Sequence, residues 1–339
     1  MKLKISAILP HLFIFGGVRR YIELGNALIS RGHTFEIYTP QGEDCSWLEF
    51  KGTVRKISEL KGSEIDVLIT GSPEFFNTLV NSSARIKIFY LQIEGLKEEK
   101  EIVRHGSIYI MVNSSGLAKR IKRRYGIVPL DGIGGVNTSF FRPDEELGCS
   151  DIDYTKGRDE TNPLRVLCYG RLSRPRKGTR FVVEAVRRLH RKGIKVELQL
   201  FDSIENDMQD PRIGFSPGVP YRFYLNLSQD SLCRMYNSAD IFVSAEHRAG
   251  WSNTTAEAFA CGLPVVCTSS GTSDFAINGK SALVVPMRNS FLIERAISKL
   301  YKDPEFGFRI ARNAREIIEE YSWERVAQKI EKQLLELSV

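Results

Sequence analysis

A short basic loop at residues 170–178 has the composition expected of an anion-binding site. It reads Gly-Arg-Leu-Ser-Arg-Pro-Arg-Lys-Gly, with four cations within seven positions, after an apolar run and before a helical pattern. Fixed cations beside the N–H groups of a helix start favour a diphosphate and can stabilise a departing phosphate. Arg171 and Lys177 are therefore candidate catalytic residues, and the alternative is a solvated basic loop.

A second candidate site lies in the segment Glu246–Val266, which begins where another strand-like run ends. Polar residues at its helix start, Ser252 or Asn253, are typical N-caps. Glu257 lies one to two turns into that helix, and its carboxylate can accept two hydroxyl protons, as a ribose diol offers. The alternative is a solvent-facing helical glutamate. The candidate binding residues here are Gly250, Trp251, Ser252, Asn253, Thr254, Thr255 and Glu257.

A glycine pair, Gly16 and Gly17, follows the first strand-like run, Leu3–Leu9. Glycines at a helix start let backbone N–H groups approach an anion, although a tight strand-to-helix turn needs them equally. The pair is not part of a G-x-G-x-x-G fingerprint, and no acidic residue follows at the required distance. Nicotinamide cofactors are therefore disfavoured.

Alternating strand and helix patterns must position these candidates. The strands are mostly apolar on both faces, which indicates parallel sheets covered by helices. In such sheets ligands bind at the carboxyl ends of the strands, where the candidates lie. The predicted strands are Leu3–Leu9, Thr34–Thr39, Asp66–Thr70, Ile86–Leu91, Ile108–Val112, Leu164–Tyr169, Ile194–Phe201, Asp240–Ser244 and Leu263–Thr268. The predicted helices are Val18–Arg31, Thr179–Lys192, Asp230–Ser238, Ser252–Cys261 and helical segments from Asn289 to Leu337.

The length and composition predict two globular domains. The chain has 339 residues, of which 42% are apolar and 26% charged, and domains average roughly 150 residues. The polar stretch Glu145–Pro163 predicts a linker, so we expect domains over 1–150 and 151–321. A net charge of +7 is too small to indicate nucleic acid binding, but it suits phosphorylated substrates or an anionic membrane.

The cysteines and the hydropathy pattern bear on metals and location. The six cysteines are scattered, with no C-x-x-C pair, which predicts a reduced cytoplasmic protein without a zinc site. The start of the chain does not resemble a signal peptide. No apolar run approaches the 18 residues of a membrane span, so we expect a soluble or surface-attached protein.

Taken together, these motifs resemble the GT-B glycosyltransferases of the family 4 type. The resemblance rests on the Gly-Gly loop, G-R-L-x(4)-K-G, A-G-W-S-N-T-T-A-E-A-F-A-C-G-L-P-V-V and Tyr321-Ser322-Trp323-Glu324. Phe140-Phe141-Arg142-Pro143, before the linker, also fits. It implies an α/β GT-B fold of two facing Rossmann-like doubly wound domains, with a final helix over 322–339 crossing back to the first.

The same resemblance implies a nucleotide-diphosphate sugar donor, an acceptor held by the first domain, retention of configuration and no essential metal. Arg171 and Lys177 would hold the diphosphate, Glu257 the ribose, and the backbone of Gly16 and Gly17 the phosphate or sugar. Ser252, Asn253, Thr254 and Thr255 would line the sugar–phosphate pocket. Residues Tyr221–Ser228 would lie near the base.

Two positions depart from the family pattern. Where the family pairs Glu257 with a glutamate eight residues earlier, this chain has Ala249, and Glu246, three residues before that, is a candidate substitute. Where the family often has a histidine after the strand Ile86–Leu91, this chain has Gln92, which can hydrogen-bond a sugar hydroxyl but carries no charge. A deoxyhexose such as rhamnose is therefore one candidate sugar.

These observations favour a hexosyl- or deoxyhexosyltransferase acting on a glycan or lipid-linked acceptor in polysaccharide biosynthesis. A degenerate, non-catalytic nucleotide-sugar-binding subunit and a nucleotide-sugar epimerase or hydrolase stay open as alternatives. The run Lys119–Arg124 predicts a short basic amphipathic helix, either a solvated face or a contact with anionic lipid at the inner membrane face. His11 is a further candidate for lining the site.

Overall fold

The computed structural model describes residues 1–144, 161–204 and 209–338. The contacts divide the chain into two compact units. The first comprises Met1–Gly135 with Tyr321–Val339, and the second comprises Val136–Glu320. The predicted domain boundary at 150 and most of the predicted linker Glu145–Pro163 lie outside the described residues.

The described residues form strands and helices in alternation. The strands are β1 Lys4–Ile8, β2 Thr34–Thr39, β3 Thr53–Lys56, β4 Val67–Thr70, β5 Ile86–Leu91, β6 Tyr109–Val112, β7 Leu130–Asp131, β8 Leu164–Tyr169, β9 Val196–Asp202, β10 Tyr221–Leu225, β11 Ile241–Ser244, β12 Val265–Cys267 and β13 Leu283–Val284. The α-helices are α1 Gly16–Ser30, α2 Phe76–Asn81, α3 Glu99–Arg104, α4 Ser115–Tyr125, α5 Thr179–Arg191, α6 Gln229–Ser238, α7 Asn253–Ala260, α8 Ser290–Lys302, α9 Pro304–Glu319 and α10 Trp323–Leu337.

Each unit is built on one parallel sheet. The first sheet has the order β3-β2-β1-β4-β5-β6-β7, and the second has the order β10-β9-β8-β11-β12-β13. Every strand pair recorded between the named strands is parallel. The central strands are buried on both faces because helices cover both sides of each sheet. This confirms the predicted α/β doubly wound class.

The last helix, α10, belongs to the first unit, as predicted. Its N-cap Ser322 accepts a hydrogen bond from the backbone N–H of Arg325 through Oγ. The apolar face of α10 is buried in the same core as β1 and α1. Burial of this face, rather than helix propensity, fixes where the helix docks.

A buried arginine fastens α10 to the rest of the first unit. Arg20 lies on α1 and is only 2% exposed. Its Nη1 donates to the carbonyl of Gly134 at 2.6 Å and to the hydroxyl of Tyr90 at 2.9 Å. Its guanidinium lies 5.2 Å from the ring centroid of Trp323, within cation–π range. One side chain thus joins α1, β5, the loop after β7 and α10.

The stretch 136–144 differs from its expected place in the first domain. It packs with the second unit, where the carbonyl of Phe141 accepts from Arg315 at 3.2 Å and that of Arg142 accepts from Asn237 at 3.0 Å. Side chains from α6 and α9 hold this backbone, and such long-range contacts leave no periodicity in the sequence. The helical tract from Asn289 resolves into the three helices α8, α9 and α10.

Candidate functional site in the second unit

The carboxyl edge of the second sheet brings the basic loop and the α7 segment together. The loop follows β8, and the segment starting at Ala245 follows the neighbouring strand β11. Gly178 has a φ of +71°, and a Cβ there would lie 2.0 Å from the carbonyl oxygen of Ala245. Only glycine permits this approach, so Gly178 fixes the basic loop against the β11 connection.

Lys177 is paired with the buried carboxylate of Glu246. Its Nζ lies 2.5 Å from Glu246 Oε1, and the Glu246 residue is 3% exposed. The Glu246 backbone is held in turn, because Thr268 Oγ1 donates to its carbonyl oxygen at 2.5 Å. The lysine that the sequence offers for an anion is therefore held in place by a carboxylate 69 residues away.

Arg171 is also paired, with an aspartate at the end of β9. Its Nε donates to Asp202 Oδ1 at 2.7 Å, and its Nη2 donates to the carbonyl of Ser203. Arg171 is 5% exposed and Asp202 4% exposed. Asp202 and Ser203 therefore orient the guanidinium at the sheet edge. A bidentate ligand bound there would share the guanidinium N–H donors with these two residues.

A tyrosine ring supports both cations. The Arg171 guanidinium lies 5.7 Å and the Lys177 ammonium 5.1 Å from the ring centroid of Tyr169, at the end of β8. Burial raises the pKa of the Tyr169 phenol above its usual range, and the carboxylate of Asp202 raises it further. The ring is therefore neutral at physiological pH, and its face stabilises the two positive charges.

Helix α7 starts beside this cluster. Its N-cap Ser252 makes no side-chain capping hydrogen bond, and its Oγ lies instead 2.8 Å from Thr255 Oγ1. The backbone N–H of Ser252 donates to the carbonyl of Gly271 at 2.8 Å, which anchors the helix start. Asn253 and Thr254 are half-buried, and Gly250 and Trp251 are buried. The positive end of the helix dipole suits a phosphate here.

Glu257 faces the protein interior and is only 5% exposed. Its Oε2 accepts a hydrogen bond of 2.8 Å from the hydroxyl of Tyr236 on α6. The alternative of a solvent-facing helical glutamate is therefore wrong. The Tyr236 hydrogen bond orients this carboxylate before any ligand arrives. Glu257 is therefore a fixed acceptor for the hydroxyl groups of a ligand.

Ala249 lies in a tightly packed and strained loop. Its N–H donates to Ser270 Oγ at 2.9 Å. A Cβ at Gly271 would lie 2.7 Å from the Cβ of Ala249, and Gly271 has a φ of +75°. Arg248, just before, has a φ of +67°, a left-handed conformation that costs energy for a residue with a side chain. Strain of this kind concentrates at functional sites.

The first unit holds the remaining candidates at the carboxyl edge of its own sheet. A Cβ at Gly17 would lie 3.0 Å from Gln92 Oε1, so the Gln92 amide rests on the start of α1. The side-chain amide of Asn113 donates to the backbone carbonyl of Gln92 at 3.0 Å. Burial raises the pKa of the neighbouring Tyr21, and the Gln92 side chain lowers it by less. His11 stacks on Phe13 with centroids 4.7 Å apart.

The sequence did not predict the two acidic partners of the basic loop. Asp202 pairs with Arg171, and Glu246 pairs with Lys177. A signal for the first exists, because Asp202 ends strand β9 at the carboxyl edge of the sheet, next to the strand that precedes the basic loop. Residues 221–228, expected near a base, form the edge strand β10 and the N-cap of α6. Their place near the base stays a prediction.

Neither a metal-binding cluster nor a membrane-spanning helix is present in the described residues. Among residues 1–144, 161–204 and 209–338, no group of three or more His, Cys, Asp or Glu side chains is arranged to hold a metal ion. No helix in that part of the chain combines the length and apolarity that a membrane span requires. Burial, followed by the charges of Arg288 and Arg248, lowers the pKa of His247 beside the site.

Part of the chain matches a known protein family. Residues 163–303 match the family model for glycosyl transferases group 1. The matched residues lie within the second unit. The matched range contains the basic loop, Glu246 and α7, so the family signal and the charged edge coincide.

Curated proteins with similar sequences match only part of this chain. The capsular polysaccharide biosynthesis glycosyltransferase CapM of Staphylococcus aureus is 27% identical over 146 residues, 42% of this chain and 38% of CapM. The curated relatives are matched over less than half of their own length.

Two solved structures show that the fold is GT-B. Sucrose-phosphate synthase from Thermosynechococcus elongatus superposes with a TM-score of 0.77 over 99% of both chains at 17% identity. Anabaena Alr3699/HepE, solved with UDP and glucose, superposes with a TM-score of 0.75 over 98% of this chain and 99% of its own, at 15% identity.

Proposed function

We propose that this protein is a retaining glycosyltransferase of the family 4 type, which moves a sugar from a nucleotide-diphosphate sugar to a glycan or lipid-linked acceptor. The supporting observation is the coincidence of Lys177, Arg171 and the α7 N-terminus at one sheet edge within the matched domain. The relative solved with UDP and glucose supports a nucleotide-sugar donor.

In the proposed reaction, Arg171 and Lys177 bind the diphosphate and stabilise the charge that develops as it departs. The acceptor hydroxyl oxygen bonds to the anomeric carbon on the face that the phosphate leaves, while the anomeric carbon–phosphate oxygen bond breaks. The leaving phosphate takes the hydroxyl proton. Glu257 binds the ribose, and its carboxylate is already oriented by Tyr236. No metal is expected in this scheme.

The first unit would bind the acceptor, and Gly16, Gly17 and Gln92 are its candidate ligand-binding residues. Gln92 offers both an amide donor and a carbonyl acceptor, which suit sugar hydroxyls. The test is turnover of UDP-, GDP-, ADP- and dTDP-sugars, with glycan and lipid-linked acceptors, by wild type and by Lys177→Ala. Transfer by wild type that is lost in the variant supports the proposal. Product configuration, read by NMR of the anomeric proton, tests retention.

The second candidate function is a nucleotide-sugar-binding subunit without turnover, which Ala249 and Gln92 favour. In that case the same nucleoside diphosphates would shift the melting temperature, yet no acceptor would be glycosylated. An epimerase or hydrolase would instead convert the nucleotide sugar in the absence of an acceptor. The binding and turnover assays together distinguish these three outcomes.

The proposed location is the cytoplasmic side, with peripheral membrane contact through α4. Leu117 and Ile121 bury one face of this helix, while Lys119, Lys122 and Arg123 are exposed. Glu99 pairs with Arg120 and, at 3.7 Å, with Arg124, which reduces the free charge. Anionic liposomes should therefore co-sediment wild type more than a Lys119, Lys122 and Arg123 charge-reversed variant. Equal partitioning would remove this role, and no binding to nucleic acid is expected.

A further inference from the structure

The two carboxylate oxygens of Glu246 differ in their contacts with the described residues. Oε1 binds Lys177 at 2.5 Å, whereas Oε2 is buried and has no hydrogen-bond partner in the described part of the chain. A buried carboxylate oxygen without a partner is costly, because it has lost its water without replacing it. A ligand hydroxyl is one group that could complete its hydrogen bonding.

Location separates Glu246 from another buried glutamate in the same unit. Glu294 on α8 is 1% exposed, and its Oε1 accepts from Lys192 at 2.9 Å and from Ser298 at 2.8 Å. Its Oε2 likewise has no partner among the described residues. An unpartnered oxygen alone is thus insufficient to identify a site. Glu246, however, lies in the β11–α7 connection beside the candidate phosphate groups, whereas Glu294 lies on a helix away from them.

Ala249 supplies the second observation. It belongs to the same connection as Glu246, between β11 and α7, and its methyl group packs where Gly271 approaches it most closely. A methyl group accepts no hydrogen bond, so position 249 cannot receive a sugar hydroxyl. The only carboxylate of this connection, residues 245–252, is that of Glu246.

We propose that Glu246 is the sugar-specifying carboxylate of this protein: Oε1 holds Lys177 towards the diphosphate, and Oε2 accepts a hydrogen bond from a hydroxyl of the transferred sugar. A carboxylate has about four lone-pair sites, so both bonds are possible at once. The inference rests on the proposed nucleotide-sugar donor and adds the class of group that is recognised. A sugar that retains this hydroxyl is preferred over its deoxy analogue.

The first experiment separates recognition of the sugar from recognition of the nucleotide. Calorimetry measures the affinity of wild type and Glu246→Gln for UDP, GDP, ADP and dTDP, and for the glucose conjugate of each. We expect Glu246→Gln to weaken the cognate nucleotide sugar by about 10- to 100-fold, the value of a charge-assisted hydrogen bond. The affinity for the matching nucleoside diphosphate should change by less, because the glutamine side chain keeps an amide oxygen that can accept from Lys177.

The matched control is Glu294→Gln, which removes the same charge from a similarly buried glutamate, whose lysine partner Lys192 is more exposed than Lys177. It should leave both affinities unchanged. The double variant Glu246→Gln/Ala249→Glu adds a carboxylate to the same connection and should recover part of the sugar affinity. Equal weakening of diphosphate and nucleotide sugar in Glu246→Gln would overturn the inference, since Glu246 would then serve only to position Lys177.

A second experiment removes the hydroxyl group from the ligand instead of the carboxylate from the protein. Wild type is titrated with deoxy analogues of the cognate nucleotide sugar, one hydroxyl removed at a time. One analogue should bind wild type about 10-fold or more weakly than the parent nucleotide sugar does. That analogue should bind Glu246→Gln and wild type with equal affinity. Equal affinity of all analogues would overturn the inference alone. Failure of every nucleoside diphosphate to bind would instead overturn the proposed function, and the inference with it.

Discussion

Around the candidate residues at its carboxyl edge the second sheet carries paired charges, whereas the first sheet carries uncharged hydrogen-bonding groups around Gln92. In the second unit, Lys177 and Arg171 each bind a buried carboxylate. In the first unit, the amide of Gln92 rests on the start of α1 beside Tyr21. The same topology thus presents two chemistries. Phosphate charge is compensated in one unit, and the other is suited to neutral hydroxyl groups.

Removal of the charged lysine should have the largest effect. In Lys177→Ala, turnover should fall by about 10²- to 10³-fold, the usual loss when one stabilising group at a developing negative charge is deleted. Steady-state kinetics with the cognate nucleotide sugar measures it. Lys192→Ala, which unpairs Glu294 instead, is the matched control and should retain activity. Near-normal turnover in Lys177→Ala would contradict the assigned role.

Disruption of the second charged pair should appear mainly as lost stability. Asp202→Ala leaves the buried Arg171 guanidinium without its carboxylate, which costs about 3–5 kcal/mol of unfolding free energy. Urea unfolding followed by circular dichroism measures it. The control in the first unit is Glu64→Ala, whose partner Lys4 is exposed, and it should change stability by less than about 1 kcal/mol. A similar loss in both variants would remove the contrast between the units.

A change at the uncharged edge should have a smaller effect. Gln92→Ala removes neutral hydrogen bonds, each worth about 0.5–1.5 kcal/mol, so kcat/KM should fall by roughly 2- to 10-fold. The pH profile should keep its shape, because the amide does not titrate. Gln92→His, by contrast, should add an ionisation near the ordinary histidine pKa of about 6.5. A loss in Gln92→Ala as large as that in Lys177→Ala would show that the first unit also handles charge.

Thiol reactivity gives the mildest test, within the second unit. A hydrogen bond involving Cys261 is the largest cause that lowers the pKa of the Cys233 thiol, to about 6. Burial raises the pKa of the Cys168 and Cys267 thiols to about 12. Iodoacetamide should therefore label Cys233 at a rate that rises through pH 6 and levels off above about pH 7. Peptide mass mapping checks this, with Cys233→Ser as control, and a midpoint near pH 9 would contradict it.

The strands that could be predicted accurately are those buried on both faces. The structure reproduces Thr34–Thr39, Ile86–Leu91 and Leu164–Tyr169 at the predicted bounds. By contrast, β3 escaped prediction, because its residues Thr53–Lys56 are half-buried or exposed and show no apolar period. The six-residue helices α2 and α3 are likewise too short for a helical period to stand out.

The sequence predicted which cations lie in the candidate site, but it did not predict which carboxylates pair with them. The spacing of the basic loop identified Arg171 and Lys177, and the strand-end rule placed them at the sheet edge. Their partners Asp202 and Glu246 lie 31 and 69 residues away. Only the neighbouring strands β9 and β11 bring those carboxylates to the loop after β8, and sequence spacing carries no record of strand order.

The contact of Arg20 with Gly134, Tyr90 and Trp323 has a consequence for synthesis on the ribosome. The first unit consists of two stretches separated by the residues Val136–Glu320. At about 5–20 residues per second, roughly 10–40 s pass between emergence of Arg20's early partners and arrival of Trp323. During this interval the α10-binding face of the nascent first unit is uncovered. Chaperone occupancy on stalled nascent chains should therefore peak before residue 323 and fall once α10 has emerged.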